Sequence, residues 1–245
     1  MILLLDLGNS RLKWTFADTR LGTGGALDWR QASLPDALRH HWQQAAAPSR
    51  VLGASVTRPE RRALVDSLLD ELGWPRAEWL RSPATHGPWA NAYPQPDGLG
   101  IDRCLAMLAA LDAGLAPCVI ASCGTALTMD ALADDGRHLG GQIIPGIDAM
   151  MSALNIAVPG LPDARSGQCL ALARNTVDAM HSGAWHASAG AIEHFLEEAA
   201  GAMQASPRLL LCGGHADAIG ALLRVRSELL PRAVLSGLLA WSRHP

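Results

Sequence analysis

Ile2-Leu3-Leu4-Leu5-Asp6-Leu7-Gly8-Asn9-Ser10-Arg11-Leu12-Lys13 decides how the rest of the chain is read. A short apolar run ends in a polar turn, and apolar character resumes over residues 12–16. That is the pattern of a buried strand, a tight turn and a second strand. Gly8 permits the turn and a close backbone approach, and Asn9 and Ser10 offer side-chain donors. Lys13 can meet phosphate charge, and Asp6 at the strand end can hold Mg²⁺ directly or through water. Phosphoryl transfer needs such groups, because its catalysis is mainly positioning and charge stabilisation. An ordinary hairpin with a polar turn fits the same residues when they are taken alone.

A second stretch repeats the order. Cys123-Gly124-Thr125-Ala126-Leu127-Thr128-Met129-Asp130 lies between apolar runs at 118–122 and 127–131. Gly124 and Thr125 can present backbone N–H and hydroxyl groups to phosphate oxygens, as an anion-binding nest does. Around the two hairpins, residues 50–55 read as a strand. Residues 58–72 read as a helix, with Leu64, Val65, Leu68, Leu69 and Leu72 at helical spacing. Tryptophan, proline and glycine crowd 74–100, which reads as irregular chain with brief strands. Helices are expected over 101–115 and 184–203, with a strand at 208–212 before Gly213-Gly214. Asp134-Asp135-Gly136 reads as a tight turn. The apolar stretch 216–240 is expected to pack helices against the second sheet. A boundary near Leu115 divides the chain into domains at 1–115 and 116–245.

Composition narrows the function. Of the 245 residues, 49% are hydrophobic and 18% charged, which suits a substantial core. The net charge of −3 comes with no basic stripe, so nucleic acid is not an expected partner. Cys104, Cys118, Cys123, Cys169 and Cys212 form no CxxC pair. They are expected as buried thiols in a reducing compartment, hence a cytoplasmic location. The N-terminus has no cationic leader, and no run approaches the ~20 apolar residues of a membrane helix, so no membrane association is expected. His181, His186 and His194 lack a metal-ligand spacing such as HExxH, and the eight tryptophans are expected to fill core rather than stack on bases.

Two phosphate hairpins in one chain resemble the superfamily of acetate and sugar kinases, 70-kDa heat-shock chaperones and actin. That resemblance implies an α/β fold of two RNase H-like (actin-like ATPase) domains, with ATP in a nucleotide cleft between them. Leu210-Leu-Cys-Gly213-Gly214-His-Ala is similar to the superfamily's adenosine-side strand and turn, and no P-loop or GxGxxG is present. Tyr93-Pro-Gln-Pro96-Asp-Gly-Leu99-Gly100-Ile101-Asp102-Arg103 then resembles the substrate signature of type III pantothenate kinases. On physical grounds, Asp102 at a helix start can be held ionised and aimed at a substrate hydroxyl as general base. Arg103 can bind a carboxylate in bidentate fashion. A plain helix-start ion pair between the two is the structural alternative.

Further segments follow in that family's order. Leu139-Gly-Gly-Gln-Ile-Ile-Pro145-Gly146 resembles GGxxxPG, which the family places near its substrate site. Asn175-Thr176-Val177 with Ser182-Gly183 resembles NTxxAxxSG. The resemblance implies phosphorylation of pantothenate by ATP with Mg²⁺, as the first step of coenzyme A synthesis, in a homodimer. It implies phosphate binding by Asp6, Gly8, Asn9, Ser10, Lys13, Gly124 and Thr125. It implies pantothenate binding by Tyr93, Gly100, Ile101, Asp102, Arg103 and Thr176, the last from a partner subunit. Asn175 and Thr176 equally suit a helix N-cap. The family's monovalent-cation position (K⁺ or NH₄⁺) carries Asp two residues before the second hairpin's glycine, where this chain has Ser122, a neutral and weaker ligand. The alternatives are a non-catalytic regulator, since the family includes Bvg accessory factors, and a kinase of another small hydroxy acid.

Overall fold

The N-terminal leucines form an inner strand, paired on both sides and buried on both faces. In the computed structural model, which describes residues 1–243, β1 (Ile2–Leu7) pairs antiparallel with β2 (Arg11–Ala17) and parallel with a later strand, Arg50–Ser55. β3 (Leu21–Asp28) follows, then α1 (Leu34–Gln43), β4 (Arg50–Ser55), α2 (Pro59–Glu71) and β5 (Ala77–Trp79). The sheet order is β3-β2-β1-β4-β5. Side chains alternate across a strand. Leu3, Leu5 and Leu7 therefore share one face and pack with Leu12, Trp14, Leu38, Trp42, Val65 and Leu69 beneath α1 and α2. Leu4 and Asp6 are left for the opposite face. Each fully buried leucine contributes about 1.5–3 kcal/mol relative to an exposed one.

After β5 come a two-stranded hairpin, β6 (Thr85–His86) and β7 (Trp89–Ala90), a 3₁₀ turn at Pro96–Gly98, and α3 (Ile101–Asp112). The second sheet repeats the plan of the first. β8 (Cys118–Cys123), β9 (Ala126–Leu132) and β10 (His138–Pro145) form an antiparallel meander. α4 (Ile147–Ala157), α5 (Thr176–Met203), β11 (Arg208–Cys212), α6 (Ala216–Gly220) and β12 (Glu228–Leu229) complete the unit, with strand order β10-β9-β8-β11-β12. Both inner strands, β1 and β8, pair antiparallel with the next strand and parallel with a later one. The faint recurrence in sequence is thus a repeated topology.

The chain separates into two units, Met1–Gly114 with Arg232–Pro245, and Leu115–Pro231. This corrects the expected second domain at 116–245, whose last two residues lie outside the described ones. The final helix, α7 (Ala233–Ser242), belongs to the first unit rather than to the second sheet. Its buried Leu235, Leu238 and Leu239 pack with α3 and with β1 and β4. Arg243 locks its end by an ion pair to Asp112 at 2.8 Å and a hydrogen bond to the Thr19 carbonyl at 2.8 Å. An apolar helix names no sheet by itself; these long-range contacts choose it. α5 also begins earlier than expected, at Thr176, where Asn175 accepts from the Asp178 N–H at 2.9 Å as N-cap.

Cys104, Cys118, Cys123 and Cys212 are buried thiols, whereas Cys169 is only partly buried. Trp14, Trp42 and Trp89 lie in the core. Among the described residues, no helix is long and apolar enough to cross a membrane.

Candidate active site

Asp6 and Lys13 face each other across β1 and β2, directly opposite in register. Strand alternation puts both on the face away from the α1–α2 core, the face against which α3 and α7 pack. Asp6 is 5% exposed, and the Lys13 Nζ lies 3.2 Å from its Oδ2. Burial pushes the Asp6 pKa up, and the Lys13 ammonium opposes that shift. The turn residues Asn9 and Ser10 are exposed at the tip, with Gly8 half-buried.

The start of α3 brings in the second carboxylate. Asp102 Oδ1 accepts from the Arg103 backbone N–H at 3.0 Å, curling back over the first helical turn. A Cβ on Gly100 would lie 2.6 Å from that oxygen, so only glycine leaves the carboxylate its place. Desolvation raises the Asp102 pKa most; the Arg103 amide opposes it, and the charge of Asp6 adds to the rise. The two carboxylates thus sense each other in one unit of the fold.

Arg103 is buried, and its Nη1 donates to the Tyr93 hydroxyl at 3.0 Å, with the guanidinium 5.7 Å from the ring centre. The alternative of a plain Asp102–Arg103 pairing is met by a main-chain hydrogen bond, while the guanidinium engages Tyr93. Asn91, which sequence reading passed over, holds this loop. Its Nδ2 donates to the Pro83 and Pro96 carbonyls, each at 3.1 Å, and its Oδ1 accepts from the Tyr93 N–H at 3.0 Å. An asparagine two residues before Tyr93 was the available signal. The Ile101 side chain packs in the core at 5% exposure.

In the second unit three sequence motifs converge on one turn. The Gly146 N–H donates to the Thr125 carbonyl at 3.1 Å and the His215 N–H to the Cys123 carbonyl at 3.1 Å. A Cβ on Gly146 would come within 2.7 Å of the Thr125 oxygen, which explains glycine at the entry to α4. The GGxxxPG segment therefore abuts the second hairpin. Thr125 itself is exposed at the tip. Burial pushes the Cys123 thiol up to about 12, leaving it a packing group.

Ser122 occupies in β8 the place Asp6 occupies in β1, two residues before the turn glycine, and its partner across the hairpin is Thr128 where Asp6 has Lys13. One hairpin carries a charge pair with a buried carboxylate and the other two neutral hydroxyls in register. Thr176 is the first residue of α5 and exposed, while Asn175 supplies the cap. His181 Nδ1 donates to the Ala164 carbonyl at 2.9 Å, as a structural contact.

Comparison with known proteins completes the assignment. A glucokinase from an Antarctic psychrotroph superposes with a TM-score of 0.50 at 13% identity, covering 98% of this chain and 97% of its own. A solved structure described as a Baf family transcriptional activator from Campylobacter jejuni superposes with a TM-score of 0.58 at 19% identity, covering 96% and 94%. With the duplicated sheet order, these likenesses define the fold class as a pair of RNase H-like, actin-like ATPase domains. The sequence pattern of the family described as type III pantothenate kinase matches residues 2–198. A type III pantothenate kinase from Nitrosospira multiformis is 34% identical over 246 residues, covering 99% of this chain and 91% of that one. The chain belongs to the type III pantothenate kinase family.

Proposed function

We propose that the chain performs its family's reaction, transfer of the γ-phosphoryl group of ATP to the primary hydroxyl of pantothenate, with Asp102 as general base. The carrying observation is the Asp102 carboxylate held over the start of α3 by the Arg103 N–H, beside a glycine that leaves it room. The Asp102 oxygen takes the hydroxyl proton as the substrate oxygen bonds to the γ-phosphorus, and the bond from that phosphorus to the β-bridging oxygen of ADP breaks. Lys13 offsets phosphate charge. Asn9 and Ser10 offer donors from the first turn, Gly8 lets its backbone approach, and Gly124 and Thr125 do the same from the second. Tyr93 and Arg103, already joined, orient pantothenate, and Gly100 fixes the reach of the base.

The buried carboxylate of Asp6, whose charge acts on Asp102, favours a hard cation with oxygen ligands beside the Lys13 ammonium and the Arg103 guanidinium. Asp6 would hold Mg²⁺, which when bound with ATP neutralises phosphate charge. Ser122 and Thr128 put no carboxylate at the monovalent-cation position, so activation by K⁺ or NH₄⁺ through that position is weakened. The homodimer belongs to the same reading. It is supported by an apolar groove along α4 and α5 lined by Met150, Leu154, Ala157 and Met180, and by Ile156, which is 83% exposed. Thr176 would then serve pantothenate bound by the partner subunit.

ADP release dependent on pantothenate, with sedimentation of the native protein alongside, tests the reading. Turnover with pantothenate and not with glycerate or sugars supports the substrate; turnover indifferent to pantothenate overturns it.

A further inference from the structure

The first turn is held by two side chains that belong to neither motif. The Trp29 indole N–H donates to the Gly8 carbonyl at 2.8 Å, and Arg61 Nη1 donates to the Asn9 carbonyl at 2.7 Å. The Trp29 backbone N–H donates to the Ser10 carbonyl at 3.2 Å. The two holders also hold each other, with the Arg61 guanidinium 4.7 Å from the Trp29 ring centre, a cation–π distance. Thr57 Oγ1 accepts from the same Arg61 nitrogen at 2.8 Å and steadies it.

In a trans peptide the C=O of one residue and the N–H of the next point in opposite directions. Drawing the Gly8 and Asn9 carbonyls towards Trp29 and Arg61 therefore turns the Asn9 and Ser10 N–H bonds the other way. A phosphate requires that orientation, because carbonyl oxygens facing it would repel it and N–H groups bind it. At the second hairpin, main-chain donors engage the turn, the Gly146 and His215 amides donating to the Thr125 and Cys123 carbonyls. At the first hairpin side chains hold the turn carbonyls, so substitution there can probe the arrangement.

We infer that Trp29 and Arg61 are positioning residues for nucleotide binding, a clamp that presents the N–H edge of the Gly8–Ser10 turn to the phosphates of ATP. The inference rests on the reading of this turn as a phosphate site. It predicts a selective effect, since the clamp touches neither Tyr93 nor the start of α3.

The test compares Arg61→Gln, Arg61→Lys and Trp29→Phe with wild type by steady-state kinetics and by equilibrium titration of MgATP, with Lys13→Gln as a control on the turn itself. Loss of one such hydrogen bond should raise KM and Kd for MgATP about three- to tenfold in Arg61→Gln and Trp29→Phe. KM for pantothenate should stay within about twofold, since additivity holds for sites without shared partners. Arg61→Lys, which keeps a donor, should recover most of the loss. Equal rises in both KM values would mark general loosening and overturn the clamp. Unchanged MgATP affinity in both clamp variants, while Lys13→Gln weakens it, would overturn the clamp and leave the phosphate turn standing. Unchanged affinity in all, Lys13→Gln included, would overturn both.

Discussion

Gly100→Ala isolates the geometry on which the proposed base depends. The residue's φ of −57° and ψ of 130° suit alanine, so the substitution brings no backbone strain. Its single consequence is steric. The new Cβ would lie 2.6 Å from Asp102 Oδ1, where ordinary contact begins at 3.4 Å, so the carboxylate must retreat by roughly 0.8 Å (3.4 − 2.6) or leave its rotamer. Misplacement of a reacting group by about 1 Å costs on the order of 10²-fold in rate. The expected result is a fall in kcat of about 10- to 100-fold, with the MgATP KM little changed. Thermal stability should hold or rise slightly, because Gly→Ala at a compatible position stabilises by about 0.4–1 kcal/mol through the unfolded state. Coupled ADP-release kinetics beside a melting curve read both quantities. A stable alanine variant with wild-type kcat would refute the claim that the curl of Asp102 over Gly100 sets its reach.

Other consequences follow from neighbouring contacts. Tyr93→Phe removes the acceptor of a buried guanidinium N–H; a hydrogen bond to a charged group contributes about 1.5–3 kcal/mol, so denaturant unfolding should show a loss of that order and the pantothenate KM should rise. Unchanged stability and KM would remove Tyr93 from the loop's frame. Ser122→Asp should increase the ratio of turnover in K⁺ to turnover in Na⁺ relative to wild type, and an unaltered ratio would show that β8 does not govern cation use. Alkylation of the native protein near pH 8 should label Cys169 ahead of Cys118 and Cys123, whose thiols burial holds at about 12. Peptide mapping that finds Cys123 labelled first would contradict the packing of the second turn.

How far the fold was legible depended on where its contacts lie. The run Leu3-Leu4-Leu5 and the Val51-Leu52 stretch announce inner strands because burial on both faces leaves no polar alternation to confuse them. β3 offered no such signal. Its Leu-Gly-Thr-Gly-Gly-Ala-Leu-Asp sequence has no fully buried residue and exists as a strand by pairing with β2. The first turns of α5 were hidden because residues 176–179 bury little, and the helix there rests on the Asn175 cap. α7 was legible as apolar helix, but its return to the first unit is decided by partners such as Asp112 and Thr19, far away in sequence.

The site divides in the same way. Asp6 with Lys13, and Gly100 with Asp102, lie close in sequence on one hairpin or one helix start, where local pattern carries them. Trp29 and Arg61 reach the first turn from 21 and 52 residues away, so no local pattern marks them. Asn91 lies nearer but was masked by the proline-rich loop it holds together. Long-range hydrogen bonds such as those of Trp29 and Arg61 become visible only once the sheet has assembled.

The most direct test of the account is ADP release from MgATP with and without pantothenate, for wild type and Asp102→Asn. The account predicts pantothenate-dependent turnover in the wild type and a loss of roughly 10²–10⁴-fold in the variant, with both substrates still bound. Near-wild-type turnover by a folded Asp102→Asn protein would contradict it.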